Sequence, residues 1–414
     1  VGYNSLYSNT TGSQNTAVGA YALDAITTGT TCTAVGYQAL TANTGSSNAA
    51  FGSTALATNT TGAQNCAFGH AALVSTTTGS DNSAFGKGAL ANNTTANSNC
   101  AFGSVALFTQ TDGGTKNCGF GNQTLYSNTT GDSNCAMGDS ALYSNTTGTR
   151  NIAIGDYSLG VNTTGQHNVA IGYGALDANT TASNNVAVGY GGLGANTTGT
   201  QNTAVGTYAL QSITTSSTCA AFGYSSLKLT TAGQNSGFGA NTLMANTTGG
   251  QNTAIGYNSL RQNTTADNNT AVGWRTMDAN TTGAENTAVG KAAMYSNTTG
   301  GSNVAMGVNA LYTNTTGQYQ TAIGRGALYT SNADKNTAVG YQALEDNTGT
   351  DNTAVGYLAL NKNTSGANNT AMGDRALRDN TTASGNAAFG RYALRDNNTD
   401  NNAAFGYLSF QSST

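Results

Sequence analysis

Apolar, small and polar residues follow one another in a pattern that repeats along the whole chain. One copy reads N-T-A-V-G-T-Y-A-L over residues 202–210, and an N-T-T-G segment follows most copies. The glycine of each copy marks the register, and successive register glycines lie 16–18 residues apart. This spacing matches neither the heptad of a coiled coil nor the longer helical repeats. Blocks of nearly constant length predict a stack of equivalent coils.

Four positions of the block keep their chemical character, and these columns predict the structural ladders. A large apolar residue precedes the glycine, leucine follows it four residues later, and asparagine lies four residues before it. We expect the two apolar columns to fill the interior, the asparagines to bond between corners, and the glycines to adopt positive φ. The representative ladder residues are Val18, Phe68, Val205, Leu23, Leu73, Leu210, Asn65, Asn202, Asn252 and Gly206.

The residue types in these columns favour short strands over helices. β-Branched and aromatic residues occupy the position before the glycine, and glycine and asparagine lie on either side of this short apolar segment, as is typical of turns. One coil has room for two strands of about five residues and two tight corners. The sequence therefore predicts an all-β fold, a parallel β-solenoid (β-roll or β-helix) of about 24 coils, continuous over residues 1–414. Because neither end carries a polar cap, we expect a segment of a longer protein or filament.

The T-A-V-G step predicts self-association. Adjacent residues of a strand point to opposite faces, yet both the alanine and the larger residue after it are apolar. A strand that is apolar on both faces is usually covered on both. With the larger residue inside the coil, a partner subunit would cover the alanine face. The alternative is that alanine, being small, is tolerated outside.

Composition narrows the function classes. The chain has no proline, 8% charged residues and a net charge of −4. Its 14 lysines and arginines are scattered, so we expect no nucleic-acid partner, and no stretch approaches the roughly 18 apolar residues of a membrane span. The only two histidines, His70 and His167, lie in different columns. We therefore predict no enzyme activity, catalytic residues, cofactor or metal site.

The six cysteines fall in two columns. Four lie three residues before the register glycine and two replace the asparagine; they are Cys66, Cys100, Cys118 and Cys135, and Cys32 and Cys219. Stacking would bring neighbouring Cα atoms to about 4.8 Å, within disulfide range. Parallel stacking points their Cβ atoms the same way, however, which favours small inward-facing residues over disulfides.

The blocks over 202–210 and 252–260 resemble the S-V-A-I-G-x-x-A head repeats of YadA-type trimeric autotransporter adhesins. They are also similar to Asn/Thr/Gly-rich blocks of phage tail-fibre shafts and bacterial surface proteins. The motif is short, and the N-T-T-G turn departs from the adhesin repeat. The resemblance implies a structural or adhesive fibre or shaft that is extracellular, on a cell surface or on a virion. It implies a homo-oligomer such as a trimer, and an end-to-end filament is the other mode of self-association left open.

Two further functions would use outward columns. Threonine ladders on flat faces can match ice, although adjacent Thr10 and Thr11 are expected to point to opposite faces. Aromatic residues directly after the register glycine form a candidate face for a surface glycan or receptor, or a ladder that only stabilises the sheet. These residues are Tyr173, Tyr190, Tyr257 and Trp274. The N-T-T triplets are formal glycosylation sequons, but glycans about 4.8 Å apart would collide.

Overall fold

The computed structural model describes residues 1–411, and the regular elements in that range are all short β-strands. There are 24 strands of three residues each, one per coil, and the paired strands are parallel. This confirms the predicted all-β parallel solenoid and its repeat of about 17 residues. The chain divides into two compact units, one from Val1 to Thr207 and one that begins at Tyr208.

Each strand consists of the three residues that precede a register glycine. The first unit contains β1 (Thr16–Val18), β2 (Thr33–Val35), β3 (Ala49–Phe51), β4 (Cys66–Phe68), β5 (Ser83–Phe85), β6 (Cys100–Phe102), β7 (Cys118–Phe120), β8 (Cys135–Met137), β9 (Ile152–Ile154), β10 (Val169–Ile171), β11 (Val186–Val188) and β12 (Thr203–Val205). The second contains β13 (Ala220–Phe222), β14 (Ser236–Phe238), β15 (Thr253–Ile255), β16 (Thr270–Val272), β17 (Thr287–Val289), β18 (Val304–Met306), β19 (Thr321–Ile323), β20 (Thr337–Val339), β21 (Thr353–Val355), β22 (Thr370–Met372), β23 (Ala387–Phe389) and β24 (Ala403–Phe405).

Equivalent residues lie opposite each other in neighbouring coils, so each column stacks on itself. Thr16 of β1, for example, pairs with Thr33 of β2. The prediction of two five-residue strands per coil is wrong, because the rest of each coil is a succession of turns. Those turns are nevertheless tied to the next coil through backbone hydrogen bonds, such as the 3.1 Å bond from Leu23 N to Ala39 O. Nearly the whole coil therefore takes part in the axial hydrogen bonding.

The interior of each coil is narrow and contains leucine, asparagine and small residues. Leu23, Leu73 and Leu210 are fully buried, and so is the middle residue of β2, Ala34. Burying one leucine side chain contributes about 1.5–3 kcal/mol. Leucine and alanine thus supply the apolar core that repeats from coil to coil.

The interior position predicted for Val18, Phe68 and Val205 is wrong. These residues end their strands on the outer face, where Val18 is 44% exposed and the other two are half-buried. Strand residues alternate between faces, and the inner face is already crowded. A Cβ built on Gly119, which replaces the inner alanine of β7, would lie only 2.7 Å from the hydroxyl oxygen of Thr124 and in contact with a methyl group of Leu107. Only a very small residue fits inside, so the large residue points outward.

The asparagine ladder also lies inside the coil. Asn65, Asn202 and Asn252 are at most 1% exposed. The backbone N–H of Asn65 donates to the side-chain oxygen of Asn48 at 2.9 Å, and its side-chain amide donates to the carbonyl of Gly79 at 2.8 Å. The N–H groups of the other two likewise donate to the asparagine one coil earlier. The ladder satisfies buried turn groups that have no strand partner.

Positive φ angles occur at the register glycines and also at leucine. Gly206 has φ of 135°, and a Cβ built on the equivalent Gly19 would overlap the carbonyl group of Gly36 in the next coil. Leu23 has φ of 52° and Leu210 of 51°, a conformation that costs an L-residue about 1–2 kcal/mol. Complete burial of the leucine side chain offsets this cost.

Candidate functional site

The outer strand face is formed by the first and third residues of the strands, and its third-residue column is apolar in every strand. In the first unit, five phenylalanines of successive coils stack with ring centroids 4.4–4.9 Å apart and planes within 10° of each other. These are Phe51, Phe68, Phe85, Phe102 and Phe120. Further along the same column, Met137 is 47% exposed. The column therefore forms a continuous apolar strip along the first unit.

The second unit carries the same outer strand face. Phe222 and Phe238 stack at 5.0 Å, and Ile255, Met306 and Met372 are 40–43% exposed. Scattered surface apolar residues are ordinary, whereas a continuous apolar strip is a candidate interaction surface. The structure thus moves the candidate interface from the alanine column to the column before the register glycine.

Four cysteines lie on the outer strand face of the first unit, which corrects their predicted inward position. They are half-buried and free, and they are Cys66, Cys100, Cys118 and Cys135. The last three occupy adjacent strands in register. Burial, with the neighbouring thiol groups of Cys100 and Cys135, raises the pKa of Cys118 to about 11. Cys32 and Cys219, in the asparagine column, are buried.

The aromatic residues predicted as a binding face are exposed, and they lie at two separate places, two residues in each unit. In the first unit, Tyr173 and Tyr190 stack with centroids 5.5 Å apart. In the second, Tyr257 and Trp274 follow each other on successive coils, and the amino group of Lys291 lies 5.3 Å from the Trp274 ring centroid. All four side chains are 45–53% exposed. Their exposure leaves these rings accessible to a partner. Stacking of Tyr173 on Tyr190 also covers part of both rings, as expected for a ladder that stabilises the sheet.

A second aromatic column lies five residues after the register glycine, and the sequence-based prediction missed it. In the first unit it contains the stack of Phe108, Tyr126 and Tyr143, with centroids 5.3 and 5.2 Å apart. In the second unit it contains the stack of Tyr295, Tyr312 and Tyr329, at 5.2 and 5.0 Å. The sequence does contain a signal for this column, because three successive blocks carry an aromatic residue at the same position.

An arginine covers one end of the second stack. The guanidinium carbon of Arg275 lies 4.7 Å from the Tyr295 ring centroid, and its Nε donates to Asp278 Oδ2 at 2.8 Å. Arg261 Nε donates to the other carboxylate oxygen at 2.7 Å. The hydrogen bond to Asp278 raises the pKa of Arg275. Tyrosine, guanidinium and a carboxylate that is 1% exposed thus form one closed cluster.

The two histidines lie in different columns of the stacked coils. His70 and His167 are both exposed, and His167 lies 3.3 Å from an Arg150 nitrogen. Within residues 1–411, no group of three or more His, Cys, Asp or Glu side chains is arranged to hold a metal ion. In the same range, no helix has the length and hydrophobicity to cross a membrane. The hydroxyl of Thr10 donates to the carbonyl of Thr27 in the next coil at 3.1 Å.

Comparison with protein-family models and with curated proteins finds no match to this chain.

Proposed function

We propose that the protein is a structural, non-enzymatic shaft segment of an extracellular fibre and that it self-associates through the outer strand face. The repeated hydrogen bonding between coils supports the mechanical part of this proposal. Strand pairing, turn bonds and buried asparagine bonds recur from coil to coil within a unit. Such a stack resists bending and local unfolding, because each coil is held by both neighbours.

The apolar strip on the outer strand face is the observation that carries the self-association. Twelve strands, with eleven spacings of about 4.8 Å between them, give it a length of roughly 53 Å in each unit. Its exposed members include Val18 and Met137 in the first unit and Ile323 and Met372 in the second. A second copy of the chain presents the same strip, so the two surfaces match in chemistry and in axial repeat. Their association would remove the strip from water.

Sedimentation of the full chain tests this proposal. We expect concentration-dependent association of the wild type and a monomer for the double variant Phe85→Asp/Ile255→Asp, which charges the strip in each unit. A matched control is Thr61→Asp/Thr248→Asp, which charges exposed turn positions instead. A wild type that remains monomeric at about 100 μM, well above usual dissociation constants of stable complexes, would contradict the self-association.

The fibre role has its own test. We expect stiff, unbranched particles in electron micrographs, and exposure to added protease or antibody on intact cells or virions of the source. Flexible or compact particles would contradict a shaft. A protein accessible only after lysis would contradict the extracellular location.

A further inference from the structure

The two aromatic stacks in the fifth-residue column end differently. In the first unit the column continues from Tyr143 to Gly160 and then to Asp177. Because Gly160 has no side chain, the step after the Tyr143 ring holds a groove of about 350 Å³. Its walls include Tyr157 and Gln123. The fifth-residue column thus has no side chain at Gly160, between the Tyr143 ring and the Asp177 carboxylate.

The Asp177 carboxylate leans into this vacancy. A Cβ built on Gly160 would lie 3.3 Å from Asp177 Oδ1. Among residues 1–411 we find no cationic side chain paired with Asp177. The residue is exposed as a whole, and the partial desolvation of its carboxyl group raises its pKa. A positive charge in the groove would favour the ionised carboxylate.

The second unit shows one way in which the end of such a stack is covered, there at its N-terminal end. There the guanidinium of Arg275 lies against the Tyr295 ring and donates to Asp278. The same pairing of a cation with tyrosine recurs within that unit, where Lys228 lies 4.9 Å from the Tyr208 ring centroid. Tyrosine and carboxylate are also present around the vacancy in the first unit, but the groove lining has no lysine or arginine.

We infer that the groove beside Gly160 binds a guanidinium group from outside the coil. The planar cation stacks on the exposed face of Tyr143, as Arg275 does on Tyr295, and its N–H groups donate to the carboxylate of Asp177. Stacking on tyrosine and a charge-assisted hydrogen bond are both strengths of guanidinium. An anionic ligand is disfavoured, because Asp177 is the charged group that faces the groove.

Ligand-observed NMR with N-acetyl-arginine amide tests this site on the full chain. We expect a dissociation constant on the order of 10 mM, as suits one exposed, stacked ion pair. N-Acetyl-citrulline amide has nearly the same shape without the charge and should bind about two- to fivefold more weakly. Methylguanidinium should compete with the arginine amide, since the guanidinium group carries the recognition. Equal binding of the citrulline compound would overturn the inference.

Variants locate the site. Asp177→Asn should weaken binding about two- to fivefold through loss of the carboxylate charge, and Gly160→Tyr should block the groove by adding a fourth ring to the stack. Asp81→Asn, at an exposed carboxylate in the same unit, should bind like the wild type. Thermal melts check that each variant is folded. Wild-type affinity in both folded groove variants would overturn the assignment.

Discussion

The two three-ring stacks occupy the same column, yet an end of one is closed and an end of the other is open. On the N-terminal side of Tyr295, Arg275 covers the ring and donates to Asp278, so this end is closed. On the C-terminal side of Tyr143, the next coils supply Gly160 and then Asp177, for which residues 1–411 show no cationic partner, so this end is open. The coil backbone is equivalent in the two places, so the difference comes from single side chains. In this fold the repeated core sets the stacking of the coils. The side chains in the variable outward columns then determine where an aromatic stack ends in an open groove.

The largest expected effect comes from charging the core beneath the open stack. Leu142 is fully buried next to Tyr143. Leu142→Asp should lower the free energy of unfolding by at least about 4 kcal/mol, because a carboxylate would be buried without a partner. Urea denaturation followed by circular dichroism measures this change.

The matched control for that substitution is Leu142→Met. Methionine already fills the equivalent core position beside Tyr295, at Met294, which is fully buried. The control should therefore cost less than about 1.5 kcal/mol. A small loss for Leu142→Asp would show that the leucine column is not the core.

The next effect comes from opening the closed stack. Asp278→Ala removes the carboxylate that holds both Arg261 and Arg275. We expect a loss of about 2 kcal/mol, below the value for a fully buried pair because both arginines are partly exposed to solvent. Asp81→Asn, at an exposed carboxylate where asparagine suits the positive φ of 60°, should change stability by less than about 0.5 kcal/mol. Equal losses for the two variants would mean that the cluster adds nothing.

A smaller effect comes from closing the open stack. Gly160→Arg places a guanidinium between Tyr143 and Asp177. Gly160 is not among the glycines with positive φ, so a side chain needs no left-handed backbone, and its Cβ would lie 3.2 Å from the Tyr157 carbonyl oxygen, which must shift slightly. We expect stabilisation of about 0.5–1 kcal/mol from the ion pair and from the less flexible unfolded chain. Differential scanning calorimetry measures it, and a lower melting temperature than that of the wild type would contradict it.

The smallest effect concerns the cysteine ladder. The pKa of Cys118 is raised to about 11, so its thiol should stay neutral and react slowly with iodoacetamide at pH 8. Because the unfolded state loses this proton first, stability should fall as the pH rises from about 9 towards 11. Peptide mapping after labelling of the native and urea-unfolded chain compares the rates. Equal rates in the two states would contradict the raised pKa.

Repetition in the sequence was enough to predict the coil. Fixed spacing requires every block to fill the same space, so the parallel register and the one-coil repeat follow from it. Buried Leu23 and Asn65 lie in columns whose residue type hardly varies. Binding sites in the outward columns could not be predicted, because the residue types in one column do not show which side chains of neighbouring coils contact each other. Gly160 is ordinary in its own block and matters only beside Tyr143.

By itself, the sequence determined the class of fold, its repeat and the leucine and asparagine columns. Only the tertiary structure decided which face of the T-A-V-G step is inside. Period-two alternation separates the two faces without saying which one is covered, and here the leucine column already fills the interior. That steric limit sends Val18 and Phe68 outward and keeps Ala34 inside. It also turns a predicted core column into the surface through which copies of the chain are proposed to meet.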